Sequence, residues 1–203
     1  MDILTIETTT HGRVLYEARG EDRLLVGFHG YAELAETHLE ELHKIEGTSG
    51  WSLAAVQSLN RFYTRAGDVV GNWMTKLDRE QSIADNINYV RRVLDALPRP
   101  KTLVFIGFSQ GASMAARAAA AIRCDGLITL GGDIPPEVKV PDAKFPPVLL
   151  ARGTRDEWYT DEKFKEDLKF LGALATPLVF EGGHEWSDAF RAAATEFLNA
   201  LIR

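Results

Sequence analysis

The sequence predicts an α/β protein: a three-layer sandwich around a mainly parallel sheet of about eight strands, with an antiparallel N-terminal hairpin at one edge. Three observations predict it. Short, strongly apolar runs alternate with longer stretches of helical periodicity along the whole chain. The later apolar runs have no polar face, as strands covered on both sides do. The first two runs instead alternate apolar and polar residues on either side of Thr-Thr-Thr-His-Gly, as a hairpin does.

In chain order, the hairpin strands are expected at residues 3–7 and 14–18. The first buried strand follows at 24–28, then a helical pattern over 32–44 and a strand at 53–57. Residues 58–78 carry Phe62, Tyr63, Trp73 and Met74 without a clear period and read as a long loop, a feature that is often functional in compact domains. From 79 to 97, Ile83, Ile87, Val90, Val93, Leu94 and Leu97 draw one apolar stripe opposite a charged face, and Pro98 and Pro100 end the helix. Strands at 102–107, 127–130, 148–151 and 178–180 then alternate with helices at 109–123, 161–171 and 185–202. Right-handed crossovers would put any ligand chemistry at the carboxyl ends of the strands.

Size and composition fit a single domain over residues 1–203, with no segment long enough for a large cap. The chain is 45% hydrophobic and 26% charged, near the average for folded soluble proteins. Its net charge of -6 and the lack of a Lys/Arg cluster argue against a nucleic-acid partner. No apolar run approaches the roughly 18 residues of a membrane span, so no integral membrane association is expected. The one cysteine, Cys124, has neither a disulfide partner nor the neighbours of a zinc site. The start of the chain lacks the basic and apolar regions of a secretory signal, which makes the cytoplasm the expected location.

Gly107-Phe108-Ser109-Gln110-Gly111 fits Gly-x-Ser-x-Gly, placed between an apolar strand pattern and an alanine-rich helix pattern. Such a turn projects a serine hydroxyl above the sheet from a strained backbone that flanking glycines tolerate. A hydroxyl is a weak nucleophile and needs a histidine to take its proton, with a carboxylate to orient that histidine. Asp156 follows the strand at 148–151, and His184 follows the strand at 178–180. The order Ser109, Asp156, His184 is that of α/β-hydrolases. Glu157 and Asp161 compete for the acid's role. Among the other histidines, His11 sits in the hairpin, and His38 and His43 sit on a polar helix face.

Taken together, FHG at 28–30, GFSQGASMA at 107–115, GTRDEWY at 153–159 and GGHEW at 182–186 resemble the small, lidless phospholipase/carboxylesterase group of serine α/β-hydrolases, which includes the acyl-protein thioesterases. The resemblance implies the α/β-hydrolase sandwich and hydrolysis of a small-molecule carboxylic ester or thioester through an acyl-enzyme, with no cofactor and no metal. It also implies an oxyanion hole made by the backbone N–H groups of Tyr31 and Gln110. His29, in the same turn, is expected to brace the loop rather than act as base. Two departures stand out. Tyr31-Ala32-Glu33-Leu34 replaces a glycine-containing loop with an aspartate, and Gly71-Asn72-Trp73-Met74 replaces an aromatic-acidic motif. Both segments border the acyl site in the family.

The expected substrate pocket is an open apolar cleft lined by Tyr31, Phe62, Tyr63, Trp73, Met74, Trp158 and Trp186, with His29 beside it. An amidase or peptidase with the same triad, or a hydrolase fold kept as a binding module, are the alternative functions. A homodimer is compatible with the sequence.

Overall fold

The computed structural model describes residues 1–20 and 22–202. In chain order its first elements are β1 (Arg13–Glu17), β2 (Arg23–Phe28), α1 (Ala35–His43), β3 (Ser52–Gln57), β4 (Asn60–Tyr63) and β5 (Val69–Asn72). They are followed by α2 (Arg79–Ala96), β6 (Thr102–Phe108), α3 (Gln110–Ala121), β7 (Gly126–Leu130) and β8 (Val148–Gly153). The chain closes with α4 (Asp161–Leu171), β9 (Ala175–Phe180) and α5 (Asp188–Ala200).

Seven strands form one sheet in the order β1-β3-β2-β6-β7-β8-β9, parallel throughout except for β1 on β3. The apolar strands β2, β3, β6, β7 and β8 lie in its middle, where both of their faces are covered. β9, read from the sequence as covered on both faces, is instead the far edge strand and leaves Val179 exposed. Alternation along each strand divides the core in two. Leu24, Val26 and Phe28 of β2 and Phe105 of β6 face a cluster containing Val90 of α2, Met114 of α3 and Phe164 of α4. Leu25 of β2 and Val104 and Ile106 of β6 face Leu42 of α1 and Phe190, Phe197 and Leu198 of α5. The result is the expected three-layer sandwich with an antiparallel edge.

Two further expectations need correction. Residues 3–7 form no strand, and Ile3, Leu4 and Ile6 are exposed. A hairpin at this edge would have had no face to bury, and such a ribbon is marginal in water. β1 instead finds its antiparallel partner in β3, with Val14 opposite Val56. The stretch read as a long loop contains the β4–β5 hairpin, with Asn60 opposite Asn72 and Tyr63 opposite Val69. Gly67, at φ +90°, supplies the left-handed residue of its turn.

Candidate active site

The sharp turn after β6 is built as the Gly-x-Ser-x-Gly pattern demands. Ser109 takes φ 56° and ψ -123°, a region that non-glycine residues seldom occupy, and α3 begins at the next residue. A side chain on Gly107 would overlap the carbonyl of Gly111, and one on Gly111 would overlap those of Phe28 and His29. The strained serine is therefore enclosed by β2, β6 and α3. Its N–H donates to Leu130 O at 2.8 Å, which ties the turn to the end of β7.

Asp156 lies in the turn after β8, buried, with both carboxylate oxygens engaged. Oδ1 accepts the N–H groups of Trp158 and Tyr159, each at 2.9 Å, and Oδ2 lies 2.9 Å from His184 Nδ1. A carboxylate that accepts at Nδ1 leaves the proton there and makes Nε2 the basic nitrogen of the ring. The His184 side chain keeps 21% of its surface open and stacks on Phe108, the residue before Ser109, at 4.9 Å between ring centres.

The turn after β7 joins the three residues. A Cβ on Gly131 would come within 2.9 Å of the His184 ring and 3.2 Å of Asp156 Oδ2. A Cβ on Gly132 would overlap the Ser109 carbonyl. Asp156 thus meets His184 directly, and Ser109 borders the same glycine pair. The competing acids stand elsewhere: Glu157 is exposed, and Asp161 pairs with Lys165 at 2.5 Å on the surface of α4.

His29 is fully buried, with both ring nitrogens engaged. Nδ1 donates to Gly30 O at 2.7 Å, and Nε2 accepts the Ser58 N–H at 3.1 Å. Burial pushes its pKa down to about 4, so it is a neutral brace. His38 is buried against Trp186 and pushed down to about 3, again by burial first. In the turn after β2, the Gly30 N–H is spent on Glu33 Oε2 at 2.7 Å and the Ala32 N–H on Gly71 O at 2.9 Å. The Tyr31 N–H between them, and the Gln110 N–H that opens α3, have no acceptor among the described residues.

The expected pocket is corrected at three positions. His29 and Trp73 are fully buried, and Met74 nearly so. Trp73 packs on Phe28 and His29 and donates its indole N–H to His29 O at 2.8 Å. The β4–β5 hairpin delivers this segment into the core, where the Gln110 side chain holds it. Trp186 is half-buried among His38, Phe108 and Phe190. Tyr63 and Trp158 point outward, 75% and 74% exposed, and exposed Tyr31 stacks on Phe62 at 5.6 Å.

The Gly131–Gly132 turn and the side chain of Gln110 escape sequence reasoning. The glycine pair directly after an apolar strand was the available signal for the first; Gln110 offers none. Among the described residues, no group of three or more His, Cys, Asp or Glu is placed to hold a metal ion. No described helix is long and apolar enough to cross a membrane.

The family model described as phospholipase/carboxylesterase matches residues 65–202. Among solved structures, the fold is similar to Zea mays acyl-protein thioesterase 2, with a TM-score of 0.78 and 16% identity over 95% of this chain and 100% of that one. It is similar to the Bacillus cereus carboxylesterase, with a TM-score of 0.74 and 16% identity over 94% of each chain. Esterase PE8 gives a TM-score of 0.75 and 21% identity over 94% of this chain and 98% of that one. At these identities the likeness shows the α/β-hydrolase fold. No curated protein matches the sequence.

Proposed function

The chain belongs to the phospholipase/carboxylesterase family, and from that premise we propose that it cleaves carboxylic esters or thioesters through an acyl-enzyme formed on Ser109. The observation that carries this reading is the 2.9 Å approach of Asp156 Oδ2 to His184 Nδ1, beside a serine in a strained elbow. With Asp156 holding the Nδ1 proton, Nε2 of His184 takes the proton of Ser109 as its oxygen attacks the carbonyl carbon. The tetrahedral intermediate collapses when His184 returns that proton to the leaving alcohol or thiol. Water then attacks the acyl-enzyme, again giving its proton to His184, and the acid departs as Ser109 is reprotonated.

The free N–H groups of Tyr31 and Gln110 are the proposed donors to the oxyanion, each worth about 2.7–4 kcal/mol in the transition state. The acyl chain would meet the exposed rings of Tyr31 and Trp158 and the half-buried ring of Phe62 in an open cleft, because Trp73 and Met74 are committed to the core. A cytoplasmic setting belongs to the same proposal, since a lone thiol suits a reducing compartment.

The test is a rate panel of p-nitrophenyl acetate, butyrate, octanoate and palmitate with the purified protein and its Ser109→Ala variant. Turnover that collapses in the variant is expected, by a factor of about 10³ or more. Equal rates for the two proteins would overturn the proposal.

A further inference from the structure

Two loops close on the His184–Asp156 pair: the turn after β7, which carries Gly131–Ile134, and the turn after β8, which carries Asp156. One carboxylate, Asp167 of α4, is bound to both. Its Oδ2 accepts the Ile134 N–H at 3.0 Å and the Tyr159 hydroxyl at 2.7 Å, and its Oδ1 pairs with Lys139 Nζ at 2.6 Å. Asp167 is 0% exposed and Tyr159 1%. The Tyr159 N–H is in turn one of the two amides that hold Asp156 Oδ1, and Arg152 Nε grips Tyr159 O at 2.8 Å. A chain of hydrogen bonds, continued through the covalent frame of Tyr159 from its hydroxyl to its N–H, therefore runs from α4 to the histidine.

Packing alone does not call for this arrangement. Asp167 shares the buried side of α4 with Phe164 and Leu171, where an apolar residue would avoid the cost of desolvating a carboxylate. Tyr159 already makes an edge-on contact with Phe164, which its ring provides without the hydroxyl. What the polar groups add is a fixed geometry: two active-site turns fastened to one rigid helix.

We propose that Tyr159 and Asp167 are positioning residues that hold the Asp156 carboxylate against His184 by fastening the turn after β8 to α4 and to the turn after β7. Burial, and then the neighbouring Asp167 charge, push the Tyr159 phenol far above its ordinary range, so it serves only as a donor in this chain of bonds. The kinetic consequence rests on the triad reading above.

The experiment compares the wild type with Tyr159→Phe, Asp167→Asn, Asp156→Ala and the double variant Tyr159→Phe/Asp156→Ala on p-nitrophenyl butyrate. Thermal melts, and the proton resonance of His184 Nδ1–H, are recorded for each. Tyr159→Phe is expected to lower kcat about tenfold through misplacement of the acid, with KM changed less than about twofold. In the Asp156→Ala background, losing the hydroxyl should change kcat by less than about twofold, because its effect passes through Asp156. Asp167→Asn should lower kcat in the same sense, and the resonance should shift or broaden in both single variants at temperatures where their melts show them folded.

Equal kcat losses from Tyr159→Phe in both backgrounds, or an unchanged kcat and resonance, would overturn the proposal. If the wild type shows no Ser109-dependent turnover, the triad reading fails by itself, and the resonance in Tyr159→Phe still decides whether the hydroxyl positions Asp156.

Discussion

The side chain of Gln110 grips the backbone at Trp73 from both sides: its Oε1 accepts the Trp73 N–H at 2.8 Å, and its Nε2 donates to Met74 O at 2.9 Å. The residue whose own amide faces the proposed oxyanion thus also anchors the exit of the β4–β5 hairpin. Trp73 in turn roofs Phe28 and His29. The elbow, the turn after β2 and the hairpin are locked to one another through this amide.

Gln110→Ala is therefore expected to cost about 2 kcal/mol, roughly 1 for each bond lost. Gln110→Glu should cost more, because a carboxylate oxygen would then face the Met74 carbonyl. Urea denaturation with an unchanged m-value would show this as a lower midpoint for both variants. A midpoint within error of the wild type for Gln110→Glu would contradict it.

Gly111 has no room for a methyl group, because the Phe28 and His29 carbonyls already occupy the space. Gly111→Ala should destabilise by about 3 kcal/mol or more, since rigid backbone rather than a flexible side chain must yield. Gly183→Ala is the control, as nothing lies within 4 Å of its absent Cβ. Similar melting temperatures for the two variants would be the contrary result.

Ala32 holds φ 58°, a left-handed conformation, and the pairing of Glu33 with Gly71 fixes it there. Strain of about 1–2 kcal/mol is relieved by glycine and partly offset by the greater freedom glycine gives the unfolded chain. Ala32→Gly should leave the protein as stable as before or up to about 1 kcal/mol more stable. A drop of that size in chemical denaturation would show that the turn carries no strain.

Acid should weaken the fold before most carboxylates titrate. Burial pushes His29 down to about 4 and His38 to about 3 in the native state, from an ordinary value of 6.5. Below pH 6.5 the unfolded chain binds protons that the native one refuses. Stability should thus fall as the pH drops toward 4, by up to about 1.4 kcal/mol per pH unit for each histidine. Glu33 and Asp167, raised by burial, act in the opposite sense, so the comparison that isolates the effect is with His38→Leu. Unfolding midpoints at pH 7.5, 6.5, 5.5 and 5 should show a flatter slope in that variant, and parallel slopes would refute the assignment.

The elements that declared themselves in the sequence are those whose environment is uniform. β6, β7 and β8 are apolar on both faces because helices cover both faces, and α4 runs from Asp161 to Leu171 as its apolar spacing predicts. The position of Asp156 at the exit of β8 and of His184 at the exit of β9 brings them together at one edge of the sheet. What stayed hidden depends on distant partners. β4 exposes most of its side chains, so alternation there is weak and the hairpin reads as loop. Nothing local distinguishes Trp73, which goes inward, from Trp158, which stays out; the difference is made by Gln110, more than thirty residues along the chain from Trp73. Residues 3–7 have the composition of a strand but no neighbour to pair with.

Cys124, partly buried beyond the end of α3, is the chain's single thiol. Burial, and then the adjacent Asp125, push its pKa up to about 12, which leaves almost no thiolate at neutral pH. Maleimides and mild oxidants should therefore find little to react with in the native protein. A cysteine introduced at exposed Trp158 would be the one reactive sulfur on the molecule. A spectroscopic reporter could then be attached two residues from Asp156 without first removing the native thiol.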